Sequence, residues 1–264
     1  MTGRVVVVGS LQLSLVTDVD RLPGPGVLAT GRTARRAVGG RGVEQARAAR
    51  RAGAQVVMVG AVGDDDAGRW CAGALFDAGI EARLDVIGPQ PTGLSLIARD
   101  PQGQTSTVVV PGANAALGAF GEDLLPDASP DDVVLIHLDI PLDTVAEVAH
   151  EAARRGARVV LNASPYTALP AEAAAVAEPL VVGEREAALL ADGGLIPESL
   201  CVTFAAAGAV WDGLRVDGDD LSSVPLPATA EQLDAFAGTL AAALAADLDR
   251  STALHSAVTA SSRR

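Results

Sequence analysis

An aspartate near the start of the last long apolar segment is the residue best placed for chemistry. Residues 229–247 have the pattern of a helix, and Asp234 lies near its beginning, where the helix dipole stabilises a negative charge. Thr229 and Gln232, three positions apart, form a capping-box pattern. Helix N-termini commonly bind anions through their first backbone N–H groups. A helix that caps these N–H groups with its own side chains no longer offers them to an anion.

Other polar residues suggest less specific chemistry. The run Asp64–Asp66 precedes a predicted helix, and we interpret it as an N-cap with added surface charge. Asn114 fits a turn better than a ligand contact, whereas Asn162 is either a turn former or a residue lining the site. The histidines lack metal-ligand spacing: His137, His150 and His255. The sequence contains neither a GxxxxGK[ST] phosphate loop nor a GxSxG elbow, so those enzyme classes gain no support.

Short apolar runs that alternate with helical segments must position these residues. The runs at 4–10, 54–63 and 131–141 are rich in valine and other apolar residues, and they predict buried strands. Such alternation predicts a doubly wound α/β fold, with a mainly parallel sheet and helices on both faces. Ligands of open α/β sheets bind at the carboxyl ends of the strands.

Two segments with period-2 alternation interrupt this rhythm, near residues 11–36 and 92–111. They predict a small β lid inserted into one domain that spans residues 1–264, with the binding site between lid and sheet. The Ala/Ser/Arg-rich segment 249–264 is predicted to be a frayed tail.

Composition restricts the classes of partner. The 264 residues carry a formal net charge of −13 and no lysine, which argues against a nucleic acid or an anionic membrane as partner. Cys71 and Cys201 are far apart and form no CxxC motif, which is typical of a reducing compartment. The apolar start is too short for a signal peptide, and no run approaches the ~18 residues of a membrane span. We therefore expect a cytoplasmic protein.

Seven stretches, in order, resemble the ribokinase branch of the PfkB family of carbohydrate kinases. They are VVVVGSLQLSLV, VGGRGVEQA, VGAVGDDDAGR, PTGLSLIARD, VVVPGANAAL, VVLNASP and LDAFAGTLAAALA. The resemblance covers nearly the whole chain. It implies a ribokinase-like fold and ATP- and Mg²⁺-dependent phosphorylation of a sugar hydroxyl, with Asp234 in the place of the catalytic base. The lids of this family often pair as homodimers, so a homodimer is expected.

The resemblance also implies a sugar site, in which several residues depart from the family pattern. Gln12 and Ser14 stand where the family carries Asn and Asp, and Glu44 replaces a sugar-binding Asn. The predicted substrate-binding set is Gly39, Gly40, Asp139, Gln12, Ser14 and Glu44. The Gly39–Gly40 pair is retained, and Asp139 is a shortened acidic residue.

The predicted nucleotide site departs further. Glu231-Gln232-Leu233 replaces the Gly-Ala-Gly that forms an anion hole, and of the family's Asn-x-x-Glu motif only Glu186 remains. Arg41 replaces a frequent lysine. The predicted nucleotide-binding set is Glu186, Thr203, Gly208 and Arg41, and no metal ligand is predicted. The segment that completes the adenine pocket and a monovalent-cation loop is expected to be missing, either naturally or through a frameshift or a cloning boundary.

Two functions remain open from the sequence. The first is a kinase homologue that has lost most phosphoryl transfer and binds a small ligand or a partner. The second is an active kinase for ribose, another sugar or a nucleoside, with Asp234 as base. The sugar loop, the magnesium motif and the anion hole serve separate steps of binding and phosphoryl transfer, and all three are changed. We therefore favour the homologue that has lost most phosphoryl transfer.

Overall fold

A computed structural model describes residues 3–119, 123–125, 127–164, 169–204, 207–218 and 229–262. The strands in these ranges are β1 (Arg4–Val8), β2 (Gln12–Val19), β3 (Gly31–Gly39), β4 (Gln55–Val62), β5 (Glu81–Val86), β6 (Gly93–Arg99), β7 (Thr105–Val110), β8 (Val133–His137), β9 (Arg158–Asn162), β10 (Ala177–Gly183), β11 (Leu200–Thr203), β12 (Gly208–Trp211) and β13 (Leu214–Asp217). The helices are α1 (Arg41–Arg51), α2 (Asp66–Asp77), α3 (Leu142–Arg154), α4 (Ala171–Val176), α5 (Glu184–Asp192), α6 (Ala230–Ala245) and α7 (Arg250–Ser262).

The main sheet has the strand order β13-β12-β11-β10-β9-β8-β1-β4-β5. Its strands from β5 to β11 run parallel, and β12 and β13 form an antiparallel hairpin at one edge. Valines on β1 show why the sheet is buried on both faces. Val5 and Val7 belong to the core cluster under α1, α2, α6 and α7, whereas Val6 and Val8 belong to the cluster under α3, α4 and α5. The predicted doubly wound fold is confirmed.

The second sheet has the order β3-β2-β6-β7 and forms the predicted lid. Strand β2 pairs antiparallel with β3 and parallel with β6, and β6 pairs antiparallel with β7. One lid face is buried and polar near its base, where the hydroxyls of Ser14 and Ser95 lie 2.7 Å apart. Among the described residues, no helix is both long enough and apolar enough to cross a membrane.

The predicted frayed tail is wrong for residues 250–262, which form α7; residues 263 and 264 lie outside the described ranges. Leu254 and Val258 are buried, and they lie four residues apart on one side of the helix. At the helix start, the Arg250 guanidinium lies 4.5 Å from the centre of the Trp211 ring. The abundance of alanine and serine concealed this apolar stripe, because small residues carry a weak hydrophobic signal.

Candidate active site

The candidate site lies where β1 and β8 adjoin, at the carboxyl ends of the strands. The chain leaves β1 toward β4 on one side of the sheet and later returns to β8 on the other, so this point is a topological switch. Immediately after β1, the backbone N–H of Ser10 donates to Nε2 of His137 at 2.9 Å. The crevice predicted for a ligand therefore begins between these two strand ends.

Asp234 lies in the first turns of α6, is 3% exposed, and is contacted by three side chains from two other elements, α1 and β9. Arg41 donates to Oδ1 through Nε at 3.1 Å and Nη2 at 3.0 Å, and Nε also lies 3.3 Å from Oδ2. Gln45 donates through Nε2 to Oδ1 at 2.8 Å, and the Nδ2 atom of Asn162 lies 3.4 Å from the same oxygen. Most contacts therefore fall on Oδ1.

The start of α1 brings Arg41 to this carboxylate. Gly40 has a φ of 105°, and a side chain there would meet the backbone of Ser10 and Leu11, so only glycine permits this tight turn. Arg41 follows it with an 11% exposed side chain and also donates to the carbonyl oxygen of Ser164. The retained Gly39–Gly40 turn is thus confirmed as a backbone feature.

Burial raises the pKa of Asp234 to about 6, although the charge and hydrogen bonds of Arg41 and the Gln45 amide act in the opposite direction. The negative charge of Asp139 contributes a further rise. Asp234 is therefore ionised at neutral pH, yet it takes up a proton in mildly acidic solution. A carboxyl with such a pKa is capable of general base chemistry.

We expect the stability difference between the unmodified chain and Asp234→Asn to depend on pH. The pKa of Asp234 rises from 3.8 to about 6 on folding, so the folded state holds this proton more tightly and loses that stabilisation as pH rises. The unmodified chain should lose about 2 kcal/mol relative to the variant between pH 4 and pH 7. Urea unfolding of both proteins across this range measures the difference, and a flat difference would contradict the assigned pKa.

His137 is a buried structural histidine. Burial first, and the charge of Arg41 second, lower its pKa to about 3, so the ring is neutral at physiological pH. Backbone N–H groups of Ser10 and Asp139 approach Nε2 and Nδ1 at 2.9 and 3.1 Å. A neutral imidazole has one acceptor nitrogen, so only one of these contacts is a hydrogen bond at a time. The ring thereby fixes the ends of β1 and β8.

Asp139 and Glu186 complete the polar edge of the site. Asp139 is exposed, yet the surrounding protein displaces enough water to raise the pKa of its carboxyl, against the lowering effect of the Arg41 charge. Glu186 lies in the first turn of α5, and its Oε1 accepts a hydrogen bond from the Ser164 hydroxyl at 3.2 Å. Because Arg41 bonds the same Ser164, these residues form one connected network with Asp234.

The predicted sugar-binding residues do not all lie at the same place in the structure. Gln12 is 8% exposed and pairs in register with Gly39, and Ser14 lies two residues further along β2, so these three line the base of the lid. Glu44 instead forms an ion pair with Arg47 at 3.0 Å, three residues on along α1. Its carboxylate therefore points to a helix partner and not to the Asp234 network.

The predicted nucleotide-binding residues Thr203 and Gly208 lie two and three strands from β9. Thr203 ends β11, is 1% exposed, and pairs in register with Gly183, which precedes α5. Gly208 begins β12. These residues lie at the same carboxyl edge of the sheet as Glu186.

The N-terminus of α6 is closed by its own capping box, as the sequence predicts. Thr229 Oγ1 accepts from the Gln232 N–H at 3.2 Å, and Gln232 Oε1 accepts from the Thr229 N–H at 3.0 Å. The Gln232 amide also lies 3.4 Å from the Ser261 carbonyl of α7. Glu231 is exposed in the same first turn, where the helix dipole favours its charge.

We expect Thr229→Ala to lower the free energy of unfolding by about 1 kcal/mol, since the loss of an N-cap hydroxyl typically has this effect. Thr252→Ala is a suitable comparison, because its hydroxyl bonds Asp249 from within the first turn of α7 and is not itself the cap. Thermal or urea unfolding of both variants is the measurement. An unchanged stability in Thr229→Ala would show that the capping box does not form in solution.

Comparisons with known proteins agree with this architecture. The family profile described as pfkB family carbohydrate kinase matches residues 2–196. The chain belongs to the pfkB family of carbohydrate kinases. A ribokinase of Bacillus subtilis is 34% identical over 203 residues, which cover 75% of this chain and 68% of the relative. The resemblance found in the sequence is thereby confirmed as membership of the family's ribokinase-like branch.

Solved structures of the pfkB family share the fold of this chain. The ribokinase of Thermotoga maritima has a TM-score of 0.82 and 24% identity, covering 98% of this chain and 91% of its own. The ribokinase of Arabidopsis thaliana in complex with ribose and ATP has a TM-score of 0.77 and 23% identity, covering 99% and 92%. The profile match ends before α6, so Asp234 itself lies outside it, whereas Arg41, Gln45 and Asn162 lie inside.

Three site residues were not identified from the sequence, or were identified only in part. Gln45 was not singled out, although its position one helical turn after Arg41 places both on the same face of α1. Ser164 bridges Arg41 and Glu186, and no pattern distinguishes it from other serines. Asn162 lines the site, whereas Asn114 holds the backbone of Leu11 at 3.0 and 2.9 Å and is structural.

Proposed function

We propose that this pfkB-family chain binds a small polar ligand between its lid and the carboxyl ends of β8, β9 and β10, and that it has lost most ATP-dependent phosphoryl transfer. The observation that carries the proposal is the capping box of α6. Thr229 and Gln232 use backbone donors that would otherwise face a phosphoryl group. Binding by the lid side of the site does not depend on those donors.

The residues at the start of α6 do not fit a nucleoside triphosphate with magnesium. Glu231 carries a negative charge at the helix start, where repulsion of a phosphate at ~4 Å is on the order of 1 kcal/mol in water. Loss of one anion-hole donor typically raises a barrier by about 3–4 kcal/mol. The repulsion alone is small, whereas the two effects together, about 4–5 kcal/mol, would reduce turnover by about three orders of magnitude.

The state of Asp234 supports the same conclusion. A catalytic base must accept a proton from the substrate hydroxyl, but Arg41 and Gln45 already occupy Oδ1 of this carboxylate, which leaves only Oδ2 for that proton. Arg41 lies in the place of a frequent family lysine and makes two short contacts to that oxygen. We infer that Asp234 now stabilises the α1–α6 contact and orients polar groups of the binding site.

Calorimetric titration with magnesium–ATP and an ADP-release assay test the proposal. We expect no binding in the micromolar range and no ADP above background with ribose, other pentoses or nucleosides. Glu231→Gly is expected to strengthen nucleotide binding, whereas Glu172→Gly, the same change in the exposed first turn of α4, is not. ADP release that Asp234→Asn abolishes would establish the alternative, an active sugar or nucleoside kinase.

A homodimer through the lid is part of the same proposal. Strand β7 forms one edge of the lid sheet, and all six of its residues are exposed, including Val108, Val109 and Val110. Unpaired backbone groups and apolar side chains on such an edge favour association with a second strand. Sedimentation of the unmodified chain and of Val109→Lys tests this, and a monomeric unmodified chain would refute it.

A further inference from the structure

We propose that the ligand of this site is a small polyhydroxylated amine, such as an amino sugar or an amino alditol, whose ammonium group binds beside Asp234. The inference deepens the proposed binding function and rests on it. It derives from two features of the described residues: buried carbonyl oxygens without donors, and an excess of carboxylates over cations. Both features select a ligand that donates hydrogen bonds and carries positive charge.

Two buried amide oxygens at the site have no hydrogen-bond donor. They are Oε1 of Gln45 and Oδ1 of Asn162, and both residues are 0% exposed. Each amide directs its nitrogen to Oδ1 of Asp234, and flipping either amide would place two oxygens in repulsive contact. The orientation of both amides is therefore fixed by Asp234. Each amide oxygen remains a free acceptor on the same amide group whose nitrogen contacts Asp234.

The carboxylate of Asp234 itself retains acceptor capacity. Oδ1 receives the contacts from Arg41, Gln45 and Asn162, whereas Oδ2 has only the longer 3.3 Å contact from Nε of Arg41. An ionised carboxylate accepts up to about four hydrogen bonds on its two oxygens. Two oxygens without donors and one with a single long contact thus lie on three different elements in one part of the molecule. An unsatisfied buried acceptor costs about as much as a lost hydrogen bond.

The charges of the network are unbalanced in the same direction. Asp234 pairs directly with the guanidinium of Arg41, and Glu186 is linked to Arg41 through Ser164. The charge of Arg41 also acts to lower the pKa of Asp139, so three carboxylates share this one cation. A phosphate or carboxylate on the ligand would add to this negative charge. A cation would offset it, and the exposed Asp139 offers an approach from solvent.

An ammonium group matches these acceptors better than a hydroxyl or a metal ion does. It carries three donors on one atom and no acceptor, whereas a hydroxyl donates only once. Among the described residues, no group of three His, Cys, Asp or Glu side chains is arranged to hold a metal ion. The chain has no lysine that could supply an internal ammonium. The remaining hydroxyls of the ligand would face the lid residues Gln12 and Ser14.

Matched pairs of ligands test the inference on the unmodified chain by calorimetric titration at pH 7.5. The probes are 1-amino-1-deoxyribitol with ribitol, and glucosamine with N-acetylglucosamine. We expect the amine in at least one pair to bind at least 10-fold more tightly than its uncharged partner. Equal binding within both pairs, tighter binding of the uncharged partners, or no binding of either amine would overturn the proposal.

Variants locate the ammonium group. Gln45→Met keeps a similar side-chain length and removes both the Oε1 acceptor and the Nε2 donor to Asp234, and it is expected to weaken amine binding about 10-fold. Gln55→Met, at the exposed start of β4, should leave amine binding unchanged. Asp139→Asn changes an exposed position, so it serves as the test if Gln45→Met fails to fold. It should weaken binding of the amine several-fold and leave binding of a neutral polyol unchanged. Equal affinities in Asp139→Asn and the unmodified chain would contradict the charge argument.

A crystal structure of the complex separates this inference from a structural role for bound water. We expect the ligand nitrogen within hydrogen-bond distance of Gln45 Oε1 or Asn162 Oδ1. Ordered water on both oxygens, with the amine elsewhere, would refute the proposal. ADP release with an amine as acceptor would instead refute the loss of kinase activity and leave the ligand class intact, so the two failures are distinguishable.

Discussion

Replacing Arg41 with methionine is expected to lower the free energy of unfolding by about 3–5 kcal/mol, because it leaves a buried carboxylate without its cation. Asp234 is 3% exposed, and Arg41 supplies its only ion pair among the described residues. Methionine fills similar space with apolar atoms, so the loss reports the charge and not a cavity. The pKa of Asp234, already raised to about 6, should rise further in this variant.

Urea unfolding at pH 7 measures this effect, with Arg69→Met as the matched control. Arg69 pairs with Asp64 and Asp66, and its side chain is 64% exposed, so its replacement should have little effect on stability. The double variant Arg41→Met/Asp234→Asn should be more stable than the sum of the two single changes predicts. Equal stabilities of Arg41→Met and Arg69→Met would refute the ion pair described here.

Gly238→Ala is expected to destabilise the chain by about 1–3 kcal/mol through overpacking between α1 and α6. Gly238 lies one turn after Asp234, and a methyl group there would collide with the backbone oxygen of Gln45 and lie 2.7 Å from Cβ of Ala48. Neither neighbour is the end of a flexible side chain. The helices would have to separate, and Asp234 would move away from Arg41 and Gln45.

Gly73→Ala is the matched control for this change, since Gly73 is also a helix-interior glycine. It lies exposed in α2, and a methyl group there would meet no atom within 4 Å. Alanine is favoured over glycine in a helix, so this variant should gain about 0.5–1 kcal/mol. The same substitution thus has opposite signs at two sites in thermal unfolding, and a gain in Gly238→Ala would show that α1 and α6 are not closely packed.

Much of the fold follows from local sequence. The four valines of β1, with neighbours in β4 and β8, form continuous apolar runs because both faces of the sheet are buried. The hairpin β12–β13 turns at Asp212-Gly213, where both residues have positive φ, and Asp-Gly is a dipeptide typical of such turns. Strand β5, in contrast, was not predicted, since its residues EARLDV alternate weakly and lie at the sheet edge, partly exposed. Small-residue helices such as α7 escape prediction for the reason given above.

The candidate site was only partly predictable. Asp234, Arg41, Asp139 and Glu186 were identified through the family resemblance, and the capping box at Thr229 through local pattern. The Arg41–Asp234 ion pair joins residues 193 positions apart, so no local pattern indicates it. The roles of Gln45 and Asn162 depend on which amide atom faces the carboxylate, and that orientation follows from tertiary packing alone.

The same ion pair has a consequence for the order of events during synthesis on the ribosome. Arg41 is translated 193 residues before Asp234. At about 5–20 residues per second, this separation corresponds to about 10–40 seconds. During that interval the guanidinium of Arg41 cannot pair with the Asp234 carboxylate. One face of the main sheet in the nascent chain also lacks the helices α6 and α7 that later cover it. Substitutions in α6 should therefore affect the yield of folded protein in cells as strongly as they affect ligand binding.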